Sequence, residues 1–198
     1  FYDARGSELF ERICALPEYY PTRAEREILA ARAQEIVDRT GADELVELGS
    51  GSAEKARMLL APMSATGRLR RYVPIDVSQK AVEQAARQLV DEYEQLHVHG
   101  VVADFERHLD RVPNGNGGAR IIALLGGTIG NFTPESRRQL LANIAAILDP
   151  RDHLLLGTDL VKDTATIEAA YDDSQGVTAE FNRNVLHVIN RELDADFS

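Results

Sequence analysis

The chain has 198 residues, 44% hydrophobic and 27% charged, and 32 acidic side chains outweigh 22 basic ones to leave a formal net charge of -10. At this length roughly 70% of the unfolded surface is buried, enough for a core without disulfides or a structural metal, and the single cysteine, Cys14, excludes a disulfide framework and a cysteine-rich zinc site. No run reaches the ~18 apolar residues of a membrane span, and basic residues scattered among acids do not suit nonspecific nucleic-acid binding, so the expectation is a cytoplasmic monomer acting on small molecules, with neither nucleic acid nor membrane as partner.

The first residue is Phe1 rather than Met, and the run Asp194–Ser198 supplies no cap or final strand, so the chain reads as an excerpt. Thr22-Arg23-Ala24-Glu25 has capping-box spacing, and Ile28, Leu29, Ala33, Ile36 and Val37 follow at helical period until Gly41. Glu44–Leu48 predicts a short strand, and a helix from about Ser52 to Leu60 follows. Tyr72–Asp76 predicts the next strand, provided Pro74 lies at its end or on an unpaired side, and a helix runs from Ser78 to about Tyr93. His97–Ala103, Ala119–Leu125 and His153–Gly157 complete five predicted strands. Asn114–Gly118 is an exposed turn, and Thr133-Pro134 starts a helix. Helical segments at 166–171 and 178–192 close the chain.

Strands alternating with helices imply a mainly parallel, doubly wound α/β sheet with right-handed crossovers. Ligands in such sheets bind at the carboxyl ends of the strands, which is where candidate residues are sought. The first strand runs into Glu47-Leu48-Gly49-Ser50-Gly51, whose glycines permit a tight turn and close approach to a ligand. An ordinary strand-to-helix turn would use the same residues. The dinucleotide fingerprint requires glycine at 54, and Glu54 there would repel a pyrophosphate, which disfavours NAD. Asp76 closes the second strand 27 residues after Gly49, near the offset of ~20 at which an acid takes ribose hydroxyls, although it could equally cap the helix beside Ser78. Asp104-Phe105 follows the third strand, suited to an adenine amino group or to capping a turn. Gly126-Gly127-Thr128-Ile129-Gly130-Asn131 follows the fourth, with more glycine than a structural turn needs.

An acidic-x-Gly-x-Gly turn, an acid after the second strand, Asp-Phe after the third and a glycine-rich loop after the fourth resemble a class I methyltransferase of Rossmann-like fold. Four stretches narrow the resemblance: Phe1–Phe10, Leu16–Thr22, Leu125–Asn131 and Gly157–Asp163 are similar to the histidine Nα-methyltransferases of ergothioneine biosynthesis. That resemblance implies transfer of three methyl groups from S-adenosylmethionine to L-histidine, giving trimethylhistidine (hercynine). Carried over by position, the cofactor contacts fall on Gly49, Lys55, Asp76, Asp104 and Phe105. The histidine contacts fall on Tyr19 for the imidazole edge and on Asn131 and Tyr171 for the amino-acid backbone groups, with Tyr2 near the reacting nitrogen. It further implies that a Glu and a Ser completing the imidazole pocket, and the last strands, follow Ser198. Residues 1–22 are expected on the substrate side and 23–198 in the cofactor-binding core, with 159–198 also serving the substrate side.

Other readings remain open on the residues alone. Tyr19 and Tyr171 could simply pack in the core. His97 and His99 share a strand face, but a metal site needs three or four ligands and no third is evident, so no metal is expected. The competing functions are a methyltransferase for another small amine, a nicotinamide-dependent oxidoreductase, and a binding module of methyltransferase-like fold.

Overall fold

The computed structural model describes residues 3–197 and resolves two compact units: a sheet unit, Glu25–Asp159, and a helical unit drawn from residues up to Ala24 and from Leu160 onward. The elements in chain order are α1 (Ala4–Ala15), α2 (Tyr20–Thr40), β1 (Glu44–Leu48), α3 (Glu54–Ala65), β2 (Arg71–Asp76), α4 (Gln79–Glu92), β3 (His97–Val98), β4 (Val101–Val102), β5 (Arg120–Leu124), α5 (Pro134–Ile147), β6 (His153–Leu156), α6 (Thr164–Tyr171) and α7 (Val177–Leu193). Short 3-10 turns cover Leu109–Arg111 and Thr128–Asn131.

All the strand pairs are parallel, in the order β3-β2-β1-β5-β6, with β4 also pairing β2. The order grows one way from β1 through β2 and the other way through β5 and β6. It therefore reverses between β1 and β5, the place where open α/β sheets bind ligands. Alternate residues of the strands feed two cores. Leu45, Tyr72, Ile121 and Ala123 pack with α2, α3 and α4, whereas Val46, Leu48, Val73, Ile75, Ile122 and Leu124 pack with Leu140 and Ile144 of α5.

Three sequence expectations need correction. α2 starts at Tyr20, not behind a cap at Thr22, so Glu25 already lies inside the helix, and its side chain is engaged by Lys55 and Gly126 N. The predicted strand over 97–103 is two fragments broken at His99-Gly100. A Cβ on Gly100 would lie 2.5 Å from Val82 Cγ1 of α4, so the chain dips there only because residue 100 is glycine. His99 thus falls outside any strand, and no cluster of three metal-ligating side chains occurs among the described residues. The same break accommodates Pro74 in the middle of β2. The carbonyls of Tyr72 and Asp76 accept from His99 and Ala103 on the β3/β4 side, and Pro74, of the same parity, turns its N–H-less nitrogen toward the gap between those fragments.

In the helical unit, α1 is an element for which the sequence reading offered no assignment. Asp3 caps it by accepting from Gly6 N at 2.8 Å, and also accepts from Asn184 Nδ2 of α7 at 2.8 Å and Arg191 Nη1 at 3.1 Å. The Gly6 and Asn184 hydrogen bonds hold its carboxyl down at about 2. Asp173, between α6 and α7, accepts from Val177 N at 2.9 Å and Thr178 N at 2.7 Å. Burial pushes its carboxyl up, but these backbone donors win and bring it to about 2. No helix among the described residues is long and apolar enough to cross a membrane.

Candidate active site

The sheet unit brings the glycine turn after β1 against the ends of β2 and β4. Gly49 and Gly51 adopt φ of 78° and 50°, and Ala53 follows at 56°, so the backbone turns through the left-handed region before α3 begins. Gly49 N and Ser50 N donate to the Ile75 carbonyl at 2.8 and 3.1 Å, and Gly51 N donates to Asp76 Oδ2 at 2.9 Å. The other Asp76 oxygen accepts from Ser78 N at 2.9 Å. Each oxygen thus spends one lone pair on the backbone, which fixes the carboxylate's orientation, and keeps another for a ligand hydroxyl.

A Cβ at Gly49 would lie 3.5 Å from the Phe105 ring, an ordinary contact distance, so the turn and this aromatic are neighbours, and it is the left-handed φ of Gly49 that calls for glycine. Phe105 packs at the rim of the α5-side core. Asp104 directs Oδ1 to Glu106 N at 2.9 Å, the turn-capping bond foreseen for it, and lies 3.6 Å from Arg107 Nε. Gly49, Asp76, Asp104 and Phe105 therefore follow the carboxyl ends of β1, β2 and β4, and Lys55 stands in the first turn of α3.

Lys55 is held. Its ammonium, 20% exposed, pairs with Glu25 of α2, 14% exposed, and the same carboxylate accepts from Gly126 N at 2.7 and 3.0 Å. Gly126 and Gly127 open the loop after β5 at φ of 78° and 66°, and the 3-10 turn that follows ends at Asn131, which is exposed. Thr128 Oγ1 donates to the Leu125 carbonyl at 2.9 Å and Gly130 N to the Gly127 carbonyl at 2.9 Å, so the loop is internally braced.

Beneath the turn lies Glu47, 4% exposed, which accepts from Tyr72 Oη at 2.5 Å. The two side chains share one sheet face because Glu47 stands opposite Pro74, two residues from Tyr72. Burial pushes the Glu47 carboxyl up to about 7, the upward effect of Asp76 and Glu25 adding to it, against the downward pull of the Tyr72 hydroxyl and the Lys55 ammonium. Burial also raises Tyr72 well above the usual phenol range. Ser50 is 6% exposed, and its Oγ has no hydrogen-bond partner among the described residues.

In the helical unit Tyr19, 7% exposed, meets Tyr171, 56% exposed, edge to face at 5.8 Å and 90°. Phe10 adds a second edge contact to Tyr19 at 6.4 Å. The flanking segments are joined by Ser174 Oγ donating to Glu18 Oε1 at 2.7 Å, and the Lys162 ammonium lies 4.4 Å from the Tyr20 ring centre. Tyr2 lies outside the described residues. Glu25 and Tyr72 were not foreseen. Tyr72 announced itself only as a strand aromatic, and Glu25 looked like an ordinary capping-box acid.

A parallel sheet reversing beside a Gly-x-Gly turn, with an acid after β2 and an Asp-Phe pair after β4, defines a Rossmann-like fold of the class I methyltransferase type. A Thermobifida fusca crystal structure described as a candidate methyltransferase is similar to this chain with a TM-score of 0.62, at 18% identity over 89% of this chain and 65% of that one. The chain belongs to the histidine-specific, S-adenosylmethionine-dependent methyltransferases, whose family model matches residues 1–198. It is 55% identical over 197 residues to the histidine N-alpha-methyltransferase of Mycobacterium tuberculosis, covering 100% of this chain and 61% of that protein's length. It is also 34% identical over 193 residues to ergothioneine biosynthesis protein 1 of Neurospora crassa, covering 96% of this chain and 22% of that protein.

Proposed function

We propose that the protein methylates the α-amino group of L-histidine with S-adenosylmethionine, giving trimethylhistidine for ergothioneine biosynthesis, a reading supported by its family and by relatives named histidine N-alpha-methyltransferase and ergothioneine biosynthesis protein 1. The observation that carries this reading is the placement of Gly49, Asp76 and Phe105 after the carboxyl ends of β1, β2 and β4, beside a family match that runs the length of the chain.

The donor set fits the cofactor. Asp76 retains acceptor capacity for ribose hydroxyls, Phe105 beside the Gly49 turn offers an apolar face, Asp104 can accept from an adenine amino group, and the Lys55 ammonium suits a carboxylate. The unpartnered buried hydroxyl of Ser50 in the same turn is a further polar group that a ligand or an ordered water would satisfy. When bound, the cofactor supplies an electrophilic methyl group. The chain's own residues then have a positioning task, since an in-line displacement at carbon is accelerated chiefly by alignment and needs no covalent intermediate on the protein.

For the amino acid, the proposed contacts are Tyr19 at the imidazole, Asn131 and Tyr171 at the backbone groups, and Tyr2 at the reacting nitrogen. Neutral oxygens suit this nitrogen better than a carboxylate. The first acceptor must bind an amine that has lost its proton, and later intermediates carry fewer N–H donors and finally none. A tyrosine accepts from the amine early and faces the methylated cation with its ring late. Glu54 at the start of α3, exposed and paired with Arg26, weighs against a pyrophosphate there and so against a nicotinamide dehydrogenase.

Mass spectrometry after incubation of L-histidine, S-adenosylmethionine and the protein is the test. Mono-, di- and trimethylhistidine are expected. Cofactor binding without methylated histidine would redirect the reading to another amine.

A further inference from the structure

We infer that Glu25 is a positioning residue of the methyl-transfer site, a single carboxylate that holds the Lys55 ammonium and the loop opening at Gly126 in one arrangement. The inference rests on the functional reading above and adds to it a residue outside the set of proposed ligand contacts.

Three segments converge on this side chain. α3 brings the Lys55 ammonium, the end of β5 brings Gly126 N at 2.7 and 3.0 Å from the two carboxylate oxygens, and the end of β6 brings Gly157. A Cβ at residue 157 would collide with Glu25 Oε1, so the carboxylate occupies the volume that a glycine leaves there. Gly126 is glycine for its own backbone, whose φ of 78° is left-handed, and its N–H donates to the carboxylate. Two strand ends and α3 thus meet at one carboxylate that is 14% exposed, which a helix acid paired by chance at the surface would not bring together.

The consequence is a division of labour. The Lys55 ammonium faces Glu25 and, at longer range, the buried Glu47. Taking away Glu25 leaves the long lysine side chain without its tether and leaves Gly126 N without its acceptor. The first loss falls on the proposed cofactor contact. The second falls on the loop that ends at Asn131, the proposed amino-acid contact. Glu25 should therefore act on both ligands, whereas Lys55 acts on the cofactor alone.

The test is calorimetric titration with S-adenosylhomocysteine and steady-state methylation of histidine, using Glu25→Gln, Lys55→Met, the double variant and the wild type, with a melting temperature for each. Glu25→Gln keeps the shape, which protects the fold, but its single neutral oxygen replaces the charge-assisted bonds that both carboxylate oxygens accept from Gly126 N, so the loop loses part of its anchor. Each single variant is expected to bind S-adenosylhomocysteine about tenfold more weakly, the scale of one charge-assisted hydrogen bond, and the double variant no more weakly than either, because the two side chains act as a unit. The histidine KM should rise in Glu25→Gln and stay level in Lys55→Met. Unchanged affinity and KM in Glu25→Gln, additive losses in the double variant, or a lowered melting temperature with unaltered binding would each overturn the inference. A wild-type protein that does not bind S-adenosylhomocysteine would overturn the functional reading itself.

Discussion

The two ends of the same parallel strands are both polar, yet they use their charges in opposite ways. At the amino ends, Arg120, 3% exposed, donates to Asp152 through Nε at 2.8 Å and lies 2.6 Å from it through Nη2. Its remaining donors reach the carbonyls of Ile147 at 2.6 Å and Pro113 at 3.2 Å. Arg71 similarly closes on the buried Glu44 at 2.7 and 2.8 Å. Burial would raise the Asp152 carboxyl, but Arg120 and the backbone donors hold it below the usual range. At the carboxyl ends, Asp76 and Asp104 are fixed by backbone N–H groups that leave lone pairs unspent, and the backbone at Gly49, Gly51, Gly126 and Gly127 is left-handed, which glycine readily adopts. One end closes the fold with its charges, and the other keeps acceptor capacity that the proposed cofactor site would use.

Breaking the closed end should cost most. Arg120→Ala takes the guanidinium from the Asp152 carboxylate and from two carbonyls, leaving that buried charge only its backbone donors, and is expected to remove about 3–5 kcal/mol of stability in denaturant unfolding, whereas an equal loss from Asp104→Ala would contradict the contrast between the ends. Glu47 sharpens the comparison from the middle of the sheet. Its folded carboxyl is raised to about 7 from 4.5, so the folded state holds this proton more tightly than the unfolded one, and the resulting stability is complete below about pH 4.5 and lost as pH climbs through 7. Glu47→Gln should flatten that decline, worth on the order of 3 kcal/mol between pH 4.5 and 8, and an unaltered melting profile over this range would remove Glu47 from the account. At the open end, Asn131→Ala is expected to raise the histidine KM about tenfold, one hydrogen bond's worth, while S-adenosylhomocysteine affinity stays level. Equal loss of both would mean that Asn131 supports the loop.

The difference between the ends also explains what could be read from the chain alone. Strands β1, β2, β5 and β6 and helices α4 and α5 were legible because buried strands and capped helices are local patterns, as with Ser78 and Thr133 at their N-caps. So were the turns at Gly49 and Gly126, because left-handed backbone demands glycine. The split of β3 from β4 depends on Val82 of another element, and the start of α2 on residues that precede its apparent cap, so periodicity over 97–103 and the spacing at 22–25 misled. Glu25 was invisible as a site residue for the same reason. Its partners, Lys55 and Gly126, are distant in sequence, and a capping-box acid looks the same whether it caps its own helix or reaches another loop.

The most direct test of the open end is calorimetry of S-adenosylhomocysteine against the wild type and Asp76→Asn, with NAD as the competing ligand. The account expects the wild type to bind S-adenosylhomocysteine and not NAD, and Asp76→Asn to bind it about 10–100-fold more weakly, since the amide loses the charge-assisted bonds to ribose and can accept from only one of Gly51 N and Ser78 N. Equal affinity in the two proteins, or preference for NAD, would contradict it.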